Sequence, residues 1–259
     1  MTKSYHGYLI DLDGTMYKGE EPIEAAADFV AALNAKQIPY VYVTNNSSKT
    51  QEAVAEKLTY MGITANKDQV VTTSIATANY IKAQKHNASC YVIGEEGIHQ
   101  AIQKKGLTIT ENEDCDFVVI GIDRDITYEK LAKASIAVRN GATFISTNGD
   151  VAIPNERGLL PGNGALTSVI ARSTGIDPIF IGKPESIIIE EALNVLDLEK
   201  EEVVMVGDNY NTDIRAGIDA GIDTLMVFTG VTPFEAYASL EKAPTYFVHQ
   251  LDEWIKNIE

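Results

Sequence analysis

Tyr8-Leu9-Ile10-Asp11-Leu12-Asp13-Gly14-Thr15 is a short apolar run that leads directly into two aspartates and a glycine turn. The same order returns late in the chain, where the run Val203-Val204-Met205-Val206 precedes Gly207 and Asp208. Short runs that are apolar at every position are typical of strands in a parallel sheet covered by helices on both faces. The two stretches therefore predict two buried strands, each with an aspartate at its carboxyl end.

Helical patterns alternate with further apolar runs around these two stretches. Residues 25–35 carry apolar side chains at helical spacing, and a strand is predicted at 40–43. Near the other end, a helix is predicted at about 212–220 and a strand at 224–228. This alternation predicts an α/β fold with a Rossmann-like, doubly wound parallel sheet.

The middle of the chain repeats the alternation on its own. The elements predicted there are strands at 90–93, 117–120 and 143–146 and helices at 95–105 and 128–140. A stretch with its own strands and helices can close a separate core, so we expect a smaller α/β domain inserted into a discontinuous larger one. The predicted limits are 1–78 and 180–259 for the larger domain and 79–179 for the insert.

Composition and charge exclude several classes of protein. Of the 259 residues, 45% are apolar and 22% are charged, which is typical of a folded globular chain and not of a disordered or collagen-like one. The formal net charge of −16 disfavours nucleic acid or an anionic membrane as a partner. No window approaches the ~18 apolar residues of a membrane-spanning helix. A small anionic ligand is compatible with this charge, because a metal ion and one lysine reverse its sign within a cleft.

The first residues and the cysteines favour a cytoplasmic protein. The first six residues contain no apolar run of signal-peptide length. Cys90 and Cys115 are the two cysteines, and they lack the spacing of a metal site. We expect both to be reduced thiols in the cytoplasm. A homo-oligomer is compatible with the sequence, which does not decide the oligomeric state.

Polar and charged residues follow four of the predicted strands at the point where each strand ends. Ligands of open parallel sheets bind outside the carboxyl ends of the strands. We therefore expect these side chains to meet in one site at the ends of four core strands. The residues are Asp11, Asp13, Thr44, Asn45, Lys183, Asp208 and Asp213.

Each of these features also has an ordinary structural explanation. Asp-Gly after a strand is a common turn, and residues 44–48 are compatible with a cap for a helix at 51–60. A lysine before a proline is usually a solvated loop residue, and Gly207-Asp208 fits a turn that caps the next helix. Their ordered coincidence at four strand ends favours a shared site over four unrelated turns.

The candidate site combines clustered carboxylates with one lysine and several hydrogen-bond donors. Carboxylates held close together repel one another unless a cation or a proton neutralises them. Oxygen ligands without a cysteine or histidine cluster favour a hard ion such as Mg²⁺. A lysine adds positive charge, and hydroxyl and amide donors bind the oxygens of a phosphoryl group. The set indicates phosphoryl transfer, in which a carboxylate is able to act as the nucleophile.

The motifs, in this order, resemble those of phosphatases of the haloacid dehalogenase superfamily. The matching segments are Asp11-Leu12-Asp13-Gly14-Thr15, Thr44-Asn45-Asn46, Lys183, and Gly207-Asp208 with Asp213. The large insert between the second and third motifs is similar to the class IIA cap of the NagD-type branch. Thr147-Asn148-Gly149-Asp150 and Pro161-Gly162-Asn163-Gly164-Ala165 within the insert also resemble that branch. The resemblance implies a Rossmann-like catalytic core, an inserted cap and Mg²⁺ as the cofactor.

The resemblance also implies roles for the four aspartates. Asp11 would be the nucleophile and a Mg²⁺ ligand. Asp13 would be the general acid and base, and its backbone carbonyl would also bind the ion. Asp208 would be the third protein ligand of Mg²⁺. Asp213 would orient these ligands without binding the ion itself.

Three further residues are implied to bind the phosphoryl group of the substrate. Thr44 and Asn45 would hold its oxygens, and Lys183 would neutralise its charge and that of the nucleophile. One departure from the family pattern is Asn209, at a position where many members of the branch have arginine. A contact that this arginine makes in other members is therefore not expected here. The roles implied for the other residues do not depend on it.

The second aspartate of the first motif bears on the type of reaction. In the family, members that displace halide lack an aspartate at the position of Asp13, because a halide needs no proton to leave. The sequence therefore predicts a Mg²⁺-dependent phosphomonoester hydrolase that forms an aspartyl-phosphate. The expected substrates are small phosphorylated metabolites, with sugar or acid-sugar phosphates first and nucleoside monophosphates second. The alternatives are a non-catalytic metabolite-binding or regulatory protein on the same fold and a phosphotransferase.

Overall fold

The computed structural model of the protein describes residues 3–155 and 157–258. They form two compact units. The first contains the chain up to Thr44, Glu52–Val71 and the chain from Lys183 onward, and the second contains Asn45–Gln51 and Thr72–Gly182. The domain limits at 79 and 179 stay a prediction, and the outer limits at 1 and 259 lie outside the described residues.

Strands and helices alternate along most of the described chain. The strands are β1 (Gly7–Ile10), β2 (Tyr17–Lys18), β3 (Glu21–Pro22), β4 (Tyr40–Thr44), β5 (Val70–Thr72), β6 (Ser89–Ile93), β7 (Thr108–Ile109), β8 (Phe117–Ile120), β9 (Thr143–Ser146), β10 (Ala152–Asn155), β11 (Gly158–Pro161), β12 (Ile179–Phe180), β13 (Val203–Gly207), β14 (Asp223–Val227) and β15 (Tyr246–Val248). The α-helices are α1 (Glu24–Ala35), α2 (Gln51–Tyr60), α3 (Thr73–Gln84), α4 (Glu96–Lys104), α5 (Tyr128–Arg139), α6 (Asn163–Thr174), α7 (Ser186–Leu196) and α8 (Arg215–Ala220). Short 3₁₀ helices cover Lys67–Gln69, Lys200–Glu202, Phe234–Ser239 and Leu251–Asn257.

The first unit is built on a six-stranded sheet with the order β15-β14-β13-β1-β4-β5. β1 pairs in parallel with β13 on one side and with β4 on the other. The pairs β13–β14 and β14–β15 are parallel as well. Ile10 stands opposite Val206, so the carboxyl ends of β1 and β13 lie side by side. The parallel sheet and its helices confirm the predicted Rossmann-like α/β fold class.

Burial explains why the strands of this sheet are apolar at every position. All four residues of β1 and all five of β13 are buried, as expected for parallel strands covered on both faces. Helix α1 turns one apolar face to the same core, with Ala26, Phe29, Val30 and Leu33 buried at helical spacing. Trp254 is 3% exposed and packs in the same core.

The second unit has its own five-stranded parallel sheet, with the order β12-β9-β8-β6-β7. Apolar side chains of β6, β8 and β9 form a separate core with those of α5 and α6. The strands and helices predicted for the middle of the chain agree with the observed bounds of β6, β8, β9, α4 and α5 to within one residue at each end. The periodicity of this stretch therefore predicted its elements correctly.

The expectation that the candidate site lies at the ends of four core strands is wrong for one of these strands. The strand that precedes Lys183 is β12, and it pairs with β9 in the sheet of the second unit. An apolar run indicates a buried strand, but it carries no information about which sheet the strand joins. Lys183 itself belongs to the first unit.

The segment after Asp208 also differs from the prediction. The sequence predicts one helix at about 212–220, whereas the chain forms a π-helical turn at Tyr210–Ile214 and then α8. π-helical turns are rare and are often found at functional sites. The short antiparallel hairpins β2–β3 and β10–β11 are further elements that the sequence analysis did not predict.

The cysteines are free thiols, in agreement with the expectation of a reduced pair. Cys90 is buried and Cys115 is partly exposed. Burial raises the pKa of the Cys90 thiol to about 12, so this thiol is protonated and unreactive at neutral pH. Among the described residues, no helix combines the length and the apolar character needed to cross a membrane.

Replacement of Phe29 by alanine tests the core of the first unit. Phe29 is fully buried and makes an edge-to-face contact with Tyr8 at a ring-centroid distance of 5.7 Å. We expect Phe29→Ala to lower the free energy of unfolding by about 3–5 kcal/mol, because it removes buried apolar surface and leaves a cavity. Trp254 is the single tryptophan and lies in the same core, so its fluorescence during urea unfolding follows this unit.

Tyr60→Ala is the matched control for the Phe29 variant. Tyr60 ends helix α2 with 92% of its surface exposed. Its replacement is expected to change the free energy of unfolding by less than about 0.5 kcal/mol. Equal losses in the two variants would contradict the central place of Phe29 in this core.

Candidate active site

Two adjacent strands of the first unit carry the first two carboxylates of the site. Asp11 follows β1, and Asp208 follows β13. The backbone N–H of Asp11 donates to the carbonyl of Val206 at 2.9 Å, which continues the parallel ladder one residue past the end of β1. The two aspartates therefore leave neighbouring strand ends at the edge of the sheet where ligands of parallel sheets bind.

Three buried carboxylates form a compact cluster at this edge. One oxygen from each of Asp11, Asp208 and Asp213 lies within 4.8 Å of the other two. Asp213 reaches the cluster from the π-helical turn, and the three residues are 7%, 0% and 1% exposed. The third carboxylate is thus that of Asp213, while the implied contribution of Asp13 is a backbone carbonyl. Oxygen donors held this closely suit a hard divalent cation.

Lys183 provides the positive charge within the cluster. Its ammonium lies 2.6 Å from Asp11 Oδ1 and 2.7 Å from Asp213 Oδ1, and it donates to the carbonyl of Val43 at 2.9 Å. These three acceptors match the three N–H donors of an ammonium group. Burial lowers the pKa of Lys183, but the two carboxylates more than offset this effect, so its pKa lies above the ordinary value. The buried lysine is therefore charged.

A single lysine leaves the three carboxylates with excess negative charge. Burial, followed by the charge of Asp213, raises the pKa of Asp11 well above its ordinary value despite the opposing effect of Lys183. The same two causes raise the pKa of Asp208 to about 6. A divalent cation bound among these oxygens would relieve the repulsion. The residues present therefore fit a metal ion of the Mg²⁺ type.

The turn after β1 packs closely against Asp208. The Thr15 hydroxyl lies 3.2 Å from Asp11 Oδ2 and 3.1 Å from Asp208 Oδ1, so it can donate to either carboxylate. Gly14 has a φ of +91°, a conformation that glycine adopts without strain. A Cβ at Gly14 would also collide with the Asp208 carboxylate. Close approach to the carboxylate, as well as the turn itself, therefore requires glycine at this position.

Asp13 stands apart from the buried cluster. The residue is exposed, and its Oδ2 accepts a long hydrogen bond of 3.4 Å from the Tyr17 hydroxyl. Desolvation by the surrounding protein raises the pKa of Asp13, and Lys57 and then Tyr17 lower it in part. A solvent-accessible carboxyl group with a raised pKa suits the transfer of protons. The sequence analysis did not single out Tyr17 or Lys57, which carry no motif of their own.

The two residues expected to hold phosphoryl oxygens fall in different units. Thr44 is the last residue of β4 and is buried in the first unit. Asn45 belongs to the second unit, where its carbonyl accepts hydrogen bonds from Thr73 Oγ1 and Asn148 Nδ2, both at 3.1 Å. Its side-chain amide donates to Asp150 at 3.3 Å. The phosphate-binding roles of Thr44 and Asn45 stay predictions.

A loop of residues 229–232, the 229–232 loop, also contacts the site and was missed by the sequence analysis. The backbone N–H of Val231 donates to Asp208 Oδ2 at 2.6 Å. The Thr229 hydroxyl donates to the carbonyl of Gly14 at 2.6 Å. A signal was present in the sequence, because this loop follows a predicted strand as the other polar residues do.

Comparison with known proteins covers nearly the whole chain. Residues 8–108 match a family model described as haloacid dehalogenase-like hydrolase, and residues 180–254 match a second, HAD-hydrolase-like model. The chain is 60% identical over 256 residues to the 5′-nucleotidase YutF of Bacillus subtilis, which covers 99% of this chain and 100% of that protein. It is 56% identical over 257 residues to an acid sugar phosphatase of Staphylococcus epidermidis, which covers 99% of each. Among solved structures, the p-nitrophenyl phosphatase from Archaeoglobus fulgidus matches with a TM-score of 0.94 at 31% identity, covering 99% of this chain and 100% of that chain.

The raised pKa of Asp208 predicts how pH affects the metal-free protein. The folded state holds the Asp208 proton more tightly than the unfolded chain does, so this residue destabilises the fold as the pH rises from the ordinary value of 3.8 through about 6. The cost above that range is about 3 kcal/mol. Asp208→Asn cannot ionise. In EDTA, we therefore expect the free energy of unfolding of this variant, measured relative to that of the wild type, to increase by about 3 kcal/mol as the pH rises from 3.8 to above about 6.

Asp223→Asn is a control of opposite sign for this measurement. Although burial opposes the effect, hydrogen bonds from Lys3 and Tyr5 lower the pKa of Asp223. Its ionised form therefore stabilises the fold above the ordinary pKa, and the wild type loses stability relative to Asp223→Asn as the pH falls below it. A difference between Asp208→Asn and the wild type that does not vary with pH would contradict the excess charge of the cluster.

Proposed function

This chain belongs to the haloacid dehalogenase-like hydrolase family, and we propose that it is a Mg²⁺-dependent phosphomonoester hydrolase of small phosphorylated metabolites. The observation that carries the proposal is the buried cluster of Asp11, Asp208 and Asp213 around Lys183. Three buried carboxylates with one lysine destabilise a fold unless a cation or a proton neutralises them, and a bound cation does so at neutral pH. Their place at the strand ends of a parallel sheet is that of a ligand site.

The carboxylates divide into ligands and an orienting group. Asp213 accepts hydrogen bonds from Lys183 at 2.7 Å and from the Asn209 N–H at 3.0 Å, and we assign it the orienting role that the family resemblance implies. Asp11, Asp208 and the backbone carbonyl of Asp13 are assigned as the Mg²⁺ ligands. When bound, the ion supplies positive charge against the phosphate oxygens and the nucleophile.

In the first half-reaction, a carboxylate oxygen of Asp11 attacks the phosphorus atom of the bound monoester. A bond forms between this oxygen and phosphorus, and the bond from phosphorus to the ester oxygen breaks. The carboxyl proton of Asp13 moves to the leaving oxygen, so an alcohol departs and the phosphoryl group remains on Asp11. Lys183, at 2.6 Å from Asp11 Oδ1, holds the nucleophile in place for the attack.

In the second half-reaction, water releases the phosphoryl group from Asp11. The carboxylate of Asp13 takes a proton from the water molecule as its oxygen attacks phosphorus. The bond between phosphorus and Asp11 breaks, orthophosphate leaves, and both aspartates return to their starting states. The hydroxyl of Thr44 and the amide of Asn45 are assigned to bind phosphoryl oxygens, which spreads the negative charge of the transition state.

The substrates we propose are sugar or acid-sugar phosphates first and nucleoside monophosphates second. Two relatives that are more than 50% identical to this chain are named 5′-nucleotidase and acid sugar phosphatase. These names support both classes of substrate. The net charge of −16 disfavours a nucleic acid as the phosphorylated substrate. A panel that compares kcat/KM for the two classes of monoester decides between them.

Release of p-nitrophenol from p-nitrophenyl phosphate tests the proposed reaction. We expect turnover by the wild type with MgCl₂ and its loss in EDTA. Asp11→Asn removes the attacking oxygen with little change in side-chain shape, and we expect it to lower kcat by about 10³-fold or more. The fluorescence of Trp254, which reports the core of this unit, should be unchanged.

Asp28→Asn is the matched control, because Asp28 is an exposed residue of α1. It should keep the turnover of the wild type. Turnover by Asp11→Asn close to that of the wild type would contradict covalent catalysis by Asp11. A wild type that requires no divalent cation would contradict the assigned metal site, and transfer of the phosphoryl group mainly to an added alcohol would indicate a phosphotransferase.

Asp13→Asn separates proton transfer from the attack on phosphorus. p-Nitrophenolate leaves without a proton, whereas a sugar alkoxide needs one. We therefore expect Asp13→Asn to lower kcat/KM for a sugar phosphate about 10²-fold more than for p-nitrophenyl phosphate, as measured by release of orthophosphate. Equal losses for the two substrates would argue against a general acid at this position.

A further inference from the structure

The 229–232 loop connects two segments of the candidate active site. At its start, the Thr229 hydroxyl donates to the carbonyl of Gly14 at 2.6 Å. In its middle, the backbone N–H of Val231 donates to Asp208 Oδ2 at 2.6 Å. At its end, the N–H of Thr232 donates to the carbonyl of Asp208 at 3.3 Å. The loop therefore bridges the turn after β1 and the residue after β13.

The middle of the loop lies in close contact with the Asp208 carboxylate. A Cβ at Gly230 would collide with this carboxylate and would stand 2.8 Å from the Cα of Gly14. Oδ2 of Asp208 is therefore held by the loop, while Oδ1 faces the Thr15 hydroxyl at 3.1 Å. Together, the two contacts define the orientation of the carboxylate plane.

Little packing covers the outer side of the loop. Gly230 is exposed, and Val231 is 66% exposed. The far end is anchored at Thr232, whose hydroxyl oxygen accepts a hydrogen bond from the Tyr210 N–H at 2.9 Å. At the near end, the bond of the Thr229 hydroxyl to Gly14 is the corresponding side-chain anchor. The position of the Val231 N–H therefore depends on these two threonines more than on apolar contacts.

We propose that Thr229 is a positioning residue of the metal site, which fastens the 229–232 loop to Gly14 and thereby holds the Val231 N–H against Asp208. The inference rests on the proposed function, since it takes Asp208 as a Mg²⁺ ligand. A hydrogen bond to one carboxylate oxygen orients the group for the ion, and outer contacts of this kind set metal affinity. The same contact steadies the backbone next to the carbonyl of Asp13, the other assigned ligand in this turn.

Binding of Mg²⁺ without substrate tests the inference. Calorimetric titration of MgCl₂ into the metal-free protein measures Kd independently of activity. Thr229→Val replaces the hydroxyl by a methyl group of similar size, and we expect it to raise Kd about tenfold. The MgCl₂ concentration that gives half-maximal turnover should rise by the same factor. Thr229→Ser keeps the hydroxyl and should restore a Kd close to that of the wild type.

Gly230→Ala is expected to disturb the contact between the loop and the Asp208 carboxylate while it leaves the Thr229 hydroxyl in place. The added Cβ must displace the Asp208 carboxylate, so we expect Kd to rise in this variant as well. Thr59→Val is the matched control, because the Thr59 hydroxyl also donates to a backbone carbonyl, that of Ala55 at 2.9 Å, within α2. It should bind Mg²⁺ as the wild type does.

The outcomes distinguish this inference from the proposed function. If the wild type turns over substrate with Mg²⁺ and Thr229→Val binds the ion with an unchanged Kd, the inference alone is overturned. Equal increases of Kd in Thr229→Val and Thr59→Val would also overturn it, since the effect would then not depend on the loop. A wild type that neither binds Mg²⁺ nor turns over substrate would overturn the proposed function and this inference with it.

Discussion

The candidate site depends on two ion pairs, which the buried ammonium of Lys183 forms with Asp11 and Asp213. The lysine lies 172 residues from Asp11 in sequence, so the pair joins the residue after β1 to the first residue of the last segment of the first unit. Buried carboxylates without this charge would be uncompensated, which typically costs about 3–5 kcal/mol. Lys183 also donates to the carbonyl of Val43, and it thereby links the end of β4 to the cluster.

The lysine balances the charge of the three carboxylates only in part, and this imbalance favours the binding of a cation. Burial and mutual repulsion raise the pKa values of Asp11 and Asp208, because both effects disfavour the ionised carboxylates. A divalent cation bound among these oxygens would offset this repulsion, and in the proposed reaction it would bring positive charge to the phosphoryl group. Asp13 is exposed and lies outside the cluster, so one motif provides a buried carboxylate paired with Lys183 and a second acid that can exchange protons with solvent.

The surroundings of Asp208 show how the backbone sets the geometry of such a cluster. Gly14 and Gly230 approach the carboxylate so closely that a side chain at either position would displace it. The Thr15 hydroxyl and the Val231 N–H contact its two oxygens. The carboxylate is thus held by groups from two separate segments, the turn after β1 and the 229–232 loop after β14, and both strands belong to the same parallel sheet. This is the physical advantage of the fold for a metal site, because adjacent strand ends bring rigid backbone to one point.

The sequence by itself determined the fold class, the bounds of seven strands and of helices α1, α2, α4 and α5 to within one residue at each end, and the identity of Asp11, Lys183 and Asp208 as candidates. These follow from local patterns, since apolar runs, helical spacing and polar residues at strand ends are written within a few residues of one another. Only the tertiary structure decided that β12 joins the second sheet, that Asn45 belongs to the second unit, and that the 229–232 loop holds Asp208. The position of the loop after a predicted strand was visible in the sequence, but its contact with Asp208 was not. These features depend on pairings between segments far apart in the chain, where packing selects the sheet partners and the backbone donors.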